Sequence, residues 1–167
     1  MNPFSLRLSV YGTAALTTLM AVAEDPAPAG GNITDLKQAL AEVPHNVANA
    51  LRNAAARDTA ATQASDLLRT KVQGRTAMLT FKIDVVEKET RGSETGYRVR
   101  AEEKHISEVG TNFITSLWVH FAMSENARVG ALKKGGEISV TGKIAEAMVS
   151  AKPAPALHIV LSEAKVN

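Results

Sequence analysis

The sequence predicts an α+β protein that is mainly β, a five-stranded barrel preceded by an N-terminal helical segment. Three observations support this prediction. Apolar residues recur at steps of three and four from residue 33 to residue 51, and from Arg75 onward they alternate with polar residues. Five alternating runs follow, arranged as three strands, a short helix and two strands. Gly142 lies inside the fourth run, where a small barrel needs a sharp bend.

The first 23 residues differ in composition from the rest of the chain. Arg7 is their one charged side chain, an apolar run follows from Gly12 to Val22, and Ala21-Val22-Ala23 has the pattern of a signal-peptidase site. The run is shorter than the roughly 20 apolar residues that span a bilayer. We therefore expect a signal peptide cleaved at Ala23, export to the periplasm or the extracellular space, and no transmembrane segment after cleavage. The alternative is a buried N-terminal helix.

Net charge and cysteine content restrict the partners. Cleavage removes one of the 19 basic residues and none of the 17 acidic residues, which leaves 18 against 17. Such a balance gives no strong basic field, so nucleic acid is a less favoured partner than an unidentified ligand or a protein. The chain has no cysteine, which excludes thiol catalysis, thiolate metal sites and a lipid-anchored lipoprotein.

A linker and a helical segment precede the barrel. Residues 24–31 are rich in Pro and Gly and form the predicted linker. The helical segment covers residues 32–72, and Pro44 divides its first helix into pieces at 34–43 and 45–56 because proline lacks an amide proton. A third helix is predicted at residues 58–69, and Asn32 or Thr34 can cap the first. The apolar stripe docks on its own domain or, alternatively, mediates assembly with a partner.

The barrel domain covers residues 73–167. Its strands are predicted at Ala77 to Val85, Tyr97 to Ala101, Asn112 to Ala122, Glu137 to about Met148, and Leu157 to Leu161. A short helix is expected between Ser124 and Leu132.

Residues Arg75 to Val166 resemble the OB-fold group, and more narrowly the tRNA-anticodon-binding-like domains of exported bacterial proteins. The matching features are the strand end at Phe121, the run Leu132-x-x-Gly135-x-x-Ile138-x-Val140-x-Gly142-x-Ile144, and the last strand Leu157-x-Ile159-x-Leu161. The resemblance implies a five-stranded barrel that binds a ligand across its second and third strands. It does not imply tRNA as that ligand.

The motifs of common enzyme classes are missing from the sequence. His45, His105, His120 and His158 are far apart and lack the spacing of metal ligands, and no Gly-x-Ser-x-Gly elbow occurs. The Gly- and Lys-rich stretch ending in Gly136-Glu137 places an acid where a phosphate-binding loop needs Lys and a hydroxyl. We therefore expect no enzyme activity, no cofactor and no metal.

A ligand-binding patch is the candidate function, and its predicted residues lie on the second and third strands. They are Arg98, Arg100, Lys104, Trp118 and His120. An indole flanked by guanidinium groups suits a nucleic-acid base or a sugar, through stacking and cation–π contact.

Two arrangements of this face are consistent with the sequence. In the first, the N-terminal helices cover the face and bury Trp118, while Arg98 and Arg100 pair with Glu102 and Glu103. In the second, the face is open and binds a ligand. Three functions remain open. The first is an exported, non-enzymatic binding module, and the second is a binder of single-stranded nucleic acid or oligosaccharide. The third is a structural protein that assembles through its helices. The ligand and the oligomeric state do not follow from the sequence.

Overall fold

The computed structural model describes residues 31–91, 94–108 and 110–167, with backbone alone at Arg91 and Glu94. The predicted signal peptide, its cleavage site at Ala23 and all of the predicted linker except Gly31 therefore lie outside the described residues. No helix within the described residues is both long enough and apolar enough to cross a bilayer.

Three helices precede the first strand, and two short helical turns separate the fourth strand from the fifth. The helices are α1 (Leu36–Leu40), α2 (His45–Ala50), α3 (Arg57–Lys71) and α4 (Asn126–Val129), with a 3-10 helix at Met123–Glu125. The strands are β1 (Thr76–Arg91), β2 (Glu94–Ala101), β3 (Lys104–Glu108), β4 (Thr111–Phe121), β5 (Glu137–Ser150) and β6 (Ala156–Val166).

Five of the strands close into a barrel, as the sequence predicts. The hydrogen-bonded order is β2-β1-β5-β6-β4, and pairing between β2 and β4 closes the ring. β4 and β6 run parallel, while the other neighbouring strands of the ring are antiparallel. This strand order and the helix between β4 and β5 are those of an OB fold. The short strand β3, which the sequence analysis did not predict, pairs with β4 outside the ring.

Alternating side chains of these strands fill the barrel. On β4 every odd-numbered residue from Thr111 to Phe121 is buried, and the even-numbered residues point outward. Large side chains buried inside the barrel come from all five strands and include Phe81, Ile83, Val99, Phe113, Phe121, Val140, Ile144, Leu157, Ile159 and Leu161. Period-two burial thus assigns each residue of a strand to one face.

Two irregularities bend the long strands. β1 pairs with β5 through its first half and with β2 through its second, and the register with β2 shifts at Asp84. At the second irregularity, two residues of β6 lie opposite the single residue Gly142 of β5. One of the two, Glu163, adopts a positive φ of 51°. A Cβ added at Gly142 would lie 3.1 Å from the Cβ of Ala164. The glycine therefore allows two strands to approach closely at the bend.

The N-terminal helices close one end of the barrel and share its core. Ile33 bridges to Ala77 at the start of β1, and its amide donates to the Thr76 carbonyl at 2.9 Å. The Thr111 hydroxyl donates to the Ala48 carbonyl at 2.8 Å, which fixes α2 at the start of β4. Helix α3 packs along β5, where the Ser65 hydroxyl donates to the Val149 carbonyl at 3.1 Å. The apolar stripe of the helical segment therefore docks on the barrel of the same chain.

The helix ends differ from the sequence prediction: α1 is shorter at both ends than the predicted 34–43, and α3 is slightly longer than the predicted 58–69. Asp35, rather than Asn32 or Thr34, caps α1, because its carboxylate accepts from the amide of Lys37 at 2.9 Å. The piece predicted at residues 45–56 ends at Ala50, and turns carry the chain to α3. The interruption at Pro44 is confirmed.

Candidate functional site

The outer face of β2 and β4 carries a compact group of side chains that we name the Trp118 platform: Arg98, Arg100, Trp118 and His120. The two strands are antiparallel neighbours, with Arg98 opposite His120 and Arg100 opposite Trp118. All four side chains belong to residues of intermediate exposure on the outward face. The strand pairing thus brings together four of the five residues that the sequence predicts for a ligand site.

Both arginines of the platform contact the indole. The guanidinium carbon of Arg98 lies 4.6 Å from the centroid of the Trp118 ring, and that of Arg100 lies 5.6 Å from it. These distances are within the range of cation–π attraction. The arginines hold the ring in place and add positive charge beside it.

Carboxylates of β1 neutralise the platform arginines. Arg98 pairs with Glu87 at 2.7 Å, and Arg100 pairs with Asp84 at 2.6 Å. The expectation that these arginines pair with Glu102 and Glu103 is wrong, because antiparallel pairing of β1 and β2 places the β1 carboxylates beside them. The positive charge of the platform is therefore largely balanced before any ligand binds.

Asp84 and Glu89 extend this network to further side chains. Hydrogen bonds from Lys134, at 2.8 Å, and from Arg100 hold the pKa of Asp84 below its usual value. Nδ1 of His120 lies 3.0 Å from a carboxylate oxygen of Glu89. Arg98, Arg100 and His120 therefore each have an acidic neighbour on β1.

The structure does not bring Lys104 to the platform. Lys104 lies opposite Thr115, which faces the barrel interior, and it lines a different cavity of about 250 Å³ with Ile106 and Leu117. Helix α2 contacts β4 at Thr111, far from the platform. Thr111 is seven residues, or about 23 Å, from Trp118 along β4. The main contacts of the N-terminal helices in the described chain lie at the barrel end, on β3 and along β5 rather than over Trp118, while the helical turns after β4 contact β2 near Thr95.

A second polar site, which the sequence analysis missed, lies where the helices meet the barrel. We name it the Arg52–Arg57 cleft. Its volume is about 640 Å³, and its lining residues are Leu51, Arg52, Arg57, Gly110, Thr111, Asn112, Ala151, Pro153, Ala154 and Pro155. The described lining contains two arginines and no carboxylate. Arg57 is the first residue of α3, where the helix dipole disfavours a cation, but the helix predicted from residue 58 did not include it.

Metal binding has no structural support in the part of the chain described. Among residues 31–91, 94–108 and 110–167, no three potential ligands of the His, Asp or Glu type form a group that could hold a metal ion. His158 instead lies 2.9 Å from the Ser150 hydroxyl on the neighbouring strand.

The solved structures that this chain resembles include the following two. One is a candidate nucleic acid-binding lipoprotein from Klebsiella pneumoniae subsp. pneumoniae MGH 78578, with 15% identity, coverage of 82% of this chain and 92% of that chain, and a TM-score of 0.46. The other is a small single-stranded DNA-binding protein from Streptomyces coelicolor, with 10% identity, coverage of 56% and 94%, and a TM-score of 0.36. No family model matches the chain, and no curated protein matches it in sequence. The narrower resemblance to tRNA-anticodon-binding-like domains stays a prediction.

Proposed function

We propose that this protein is a non-enzymatic binding module that holds single-stranded nucleic acid across β2 and β4. The observation that carries the proposal is the Trp118 indole, which lies on the outer face of the barrel beside two guanidinium groups. This is the face on which OB folds bind oligonucleotides and oligosaccharides. Every base has a π face, so stacking on one indole requires no particular sequence.

Stacking, rather than charge, supplies most of the affinity in this proposal. A phosphate near Arg98 or Arg100 must compete with Glu87 and Asp84, which already occupy the two guanidinium groups. Base–aromatic stacking contributes about 1–3 kcal/mol for each base and is insensitive to that competition. We therefore expect weak binding, with a shallower salt dependence than a basic groove would give.

An oligosaccharide is the second candidate, and the charge balance of the platform favours it. A neutral sugar ring can lie against Trp118 without displacing any carboxylate, and paired Arg and Asp or Glu side chains offer both donors and acceptors to hydroxyl groups. Export, which the pattern of residues 1–23 predicts, suits either ligand. The two candidates differ in whether a phosphate backbone is needed.

A fluorescence titration tests the proposal directly because Trp118 is the only tryptophan of the chain. The chain beginning at Glu24 is titrated with oligothymidylate at about 50 mM and about 200 mM salt, and in parallel with a neutral oligosaccharide such as a chitin fragment. Quenching or a spectral shift of Trp118 with the oligothymidylate is the expected result. Anisotropy of a labelled oligonucleotide then compares Trp118→Ala with Trp118→Phe, which keeps a stacking ring.

The variants separate stacking from a structural role. Trp118→Ala is expected to weaken binding by about 5- to 150-fold, the equivalent of about 1–3 kcal/mol, while Trp118→Phe retains most of the affinity. A response to the oligosaccharide alone would support oligosaccharide binding instead of nucleic-acid binding. The absence of any oligonucleotide binding at the lower salt concentration would remove the nucleic-acid proposal.

A further inference from the structure

We propose that the Arg52–Arg57 cleft is a phosphate-binding site. The cleft is formed by the helical segment, the start of β4 and the loop between β5 and β6. The helical segment lies outside the region that resembles an OB fold, so the site is separate from the face used by such barrels. The proposal does not depend on the function proposed for Trp118.

The charge of the cleft is unbalanced. Its described lining carries two guanidinium groups and no carboxylate. The nearest acid in sequence, Asp58, is bound instead to the ammonium group of Lys152 at 2.6 Å. That hydrogen bond, together with the charges of Lys152 and Arg57, holds the pKa of Asp58 below its usual value. An anion in the cleft would therefore meet two guanidinium groups that outweigh the single, shared carboxylate of Asp58.

The guanidinium of Arg57 has unused hydrogen-bonding capacity. Its Nε is buried and has no hydrogen-bond acceptor within the described chain. A buried donor without an acceptor is unfavourable, and native structures rarely keep one without a reason. The position of Arg57 is also unfavourable, because a cation at the first residue of the 15-residue helix α3 opposes the helix dipole. An anion held by the terminal nitrogens of Arg57 would offset the unfavourable position of this cation in the helix dipole.

Arg52 is already positioned at the cleft. One of its terminal nitrogens, Nη1, donates to the Gly110 carbonyl at 3.1 Å, which ties the side chain to the loop before β4. Gly110 adopts a positive φ of 76°, a conformation that favours glycine. A guanidinium presents five donors in a planar fork, so the donors not used by Gly110 remain for a ligand. Planar, bidentate recognition of phosphate is a common role of arginine.

Two sources can supply the phosphate group. The first is free inorganic phosphate or a phosphorylated small molecule. The second is the backbone of a strand bound at Trp118, since Asn112 at the cleft is six residues, or about 20 Å, from Trp118 along β4. OB folds hold about 4–16 nucleotides, so such a strand extends beyond a single stacking residue.

The experiment follows the Nε–H signal of Arg57 by nuclear magnetic resonance in the chain beginning at Glu24. The signal is assigned by its loss in Arg57→Gln, and the titrants are inorganic phosphate and, separately, oligothymidylate, each against sodium chloride of equal ionic strength. The matched control is Arg69→Gln, which removes the same charge from the same helix at an exposed side chain paired with Asp66. Because no hydrogen bond of the Arg57 side chain occurs within residues 31–91, 94–108 and 110–167, Arg57→Gln is expected to fold.

A saturable shift of the Arg57 signal with inorganic phosphate, with oligothymidylate, or with both supports the proposal, and the titrant that acts identifies the source. Phosphate affinity measured by calorimetry is expected to fall at least tenfold in Arg57→Gln and to stay unchanged in Arg69→Gln. If neither titrant shifts the signal beyond the chloride reference, or if the two variants lose affinity equally, the proposal is overturned. The Trp118 titration can succeed or fail independently of this result.

Discussion

The protein carries two pairs of arginines in opposite electrostatic states. In the Trp118 platform, Arg98 and Arg100 are bound to Glu87 and Asp84 and contact an indole. In the Arg52–Arg57 cleft, the described lining contains no carboxylate, and Arg57 keeps a buried donor without an acceptor. Both arginines of the first pair have a carboxylate partner, whereas Arg52 has only a carbonyl partner and Arg57 has a buried donor without an acceptor in the described chain.

This difference separates two kinds of recognition. A neutralised guanidinium orients an aromatic ring and adds little long-range attraction, whereas an uncompensated guanidinium attracts an anion. The near-neutral net charge of the chain conceals the contrast, because positive charge is balanced on the platform and less completely balanced in the cleft. The two proposals therefore assign rings and phosphates to different places on this molecule.

The largest expected effect on stability is at Arg57. Arg57→Met keeps an unbranched apolar stem and removes the buried donor, and leaving such a donor unsatisfied costs about 1–3 kcal/mol. We therefore expect the free energy of unfolding in phosphate-free buffer to rise by up to about that amount. Urea denaturation followed by circular dichroism measures the change.

Arg69→Met provides the reference for this prediction. It removes a surface arginine paired with Asp66 at 2.7 Å, and exposed pairs of this kind contribute only about 0.2–1 kcal/mol. Added phosphate should stabilise the wild type and Arg69→Met but not Arg57→Met, because only a ligand that prefers the folded state stabilises it. A loss of stability in Arg57→Met would mean that the arginine is structurally satisfied after all.

A smaller effect is expected at Asp84 and depends on pH. Hydrogen bonds from Lys134 and Arg100 lower its pKa from the ordinary value of 3.8, so its contribution to stability is present above that value. The contribution is lost as the pH falls through the lower, folded-state pKa. Urea denaturation between about pH 6 and about pH 2 should therefore show the stability difference between wild type and Asp84→Asn shrinking as the pH falls. A difference that stays constant across this range would contradict the ion-pair assignment.

The sequence predicts the residues of the Trp118 platform better than it predicts the carboxylates that pair with them. Alternation along a strand assigns Arg98, Arg100 and Trp118 to the outer face, because a period of two leaves no other choice once the buried face is known. It does not identify Asp84 and Glu87 as their partners, since that depends on the register between β1 and β2 and on the irregularity at Asp84. Glu102 and Glu103, the nearer acids in sequence, were the wrong choice for this reason.

The cleft could not be predicted because its parts are distant in sequence. Arg52 and Arg57 meet residues 110–112 and 153–155 only after the helices dock on the barrel. No local pattern encodes that docking geometry. The barrel itself follows from local patterns: alternation in five runs, and a glycine at position 142 where two strands approach closely.

Salt dependence of oligonucleotide affinity tests the central claim, that the platform binds rings with neutralised arginines. Anisotropy of labelled oligothymidylate is measured against salt for the wild type and for a variant combining Asp84→Asn with Glu87→Gln, which frees Arg98 and Arg100. Each phosphate neutralised on a single strand steepens the plot of log affinity against log salt by about 0.7. We predict tighter binding in the double variant and a slope steeper by at least about 1.4, because Asp84→Asn also releases Lys134. An unchanged slope and affinity would contradict this prediction, because the carboxylates would then not be what restrains the platform.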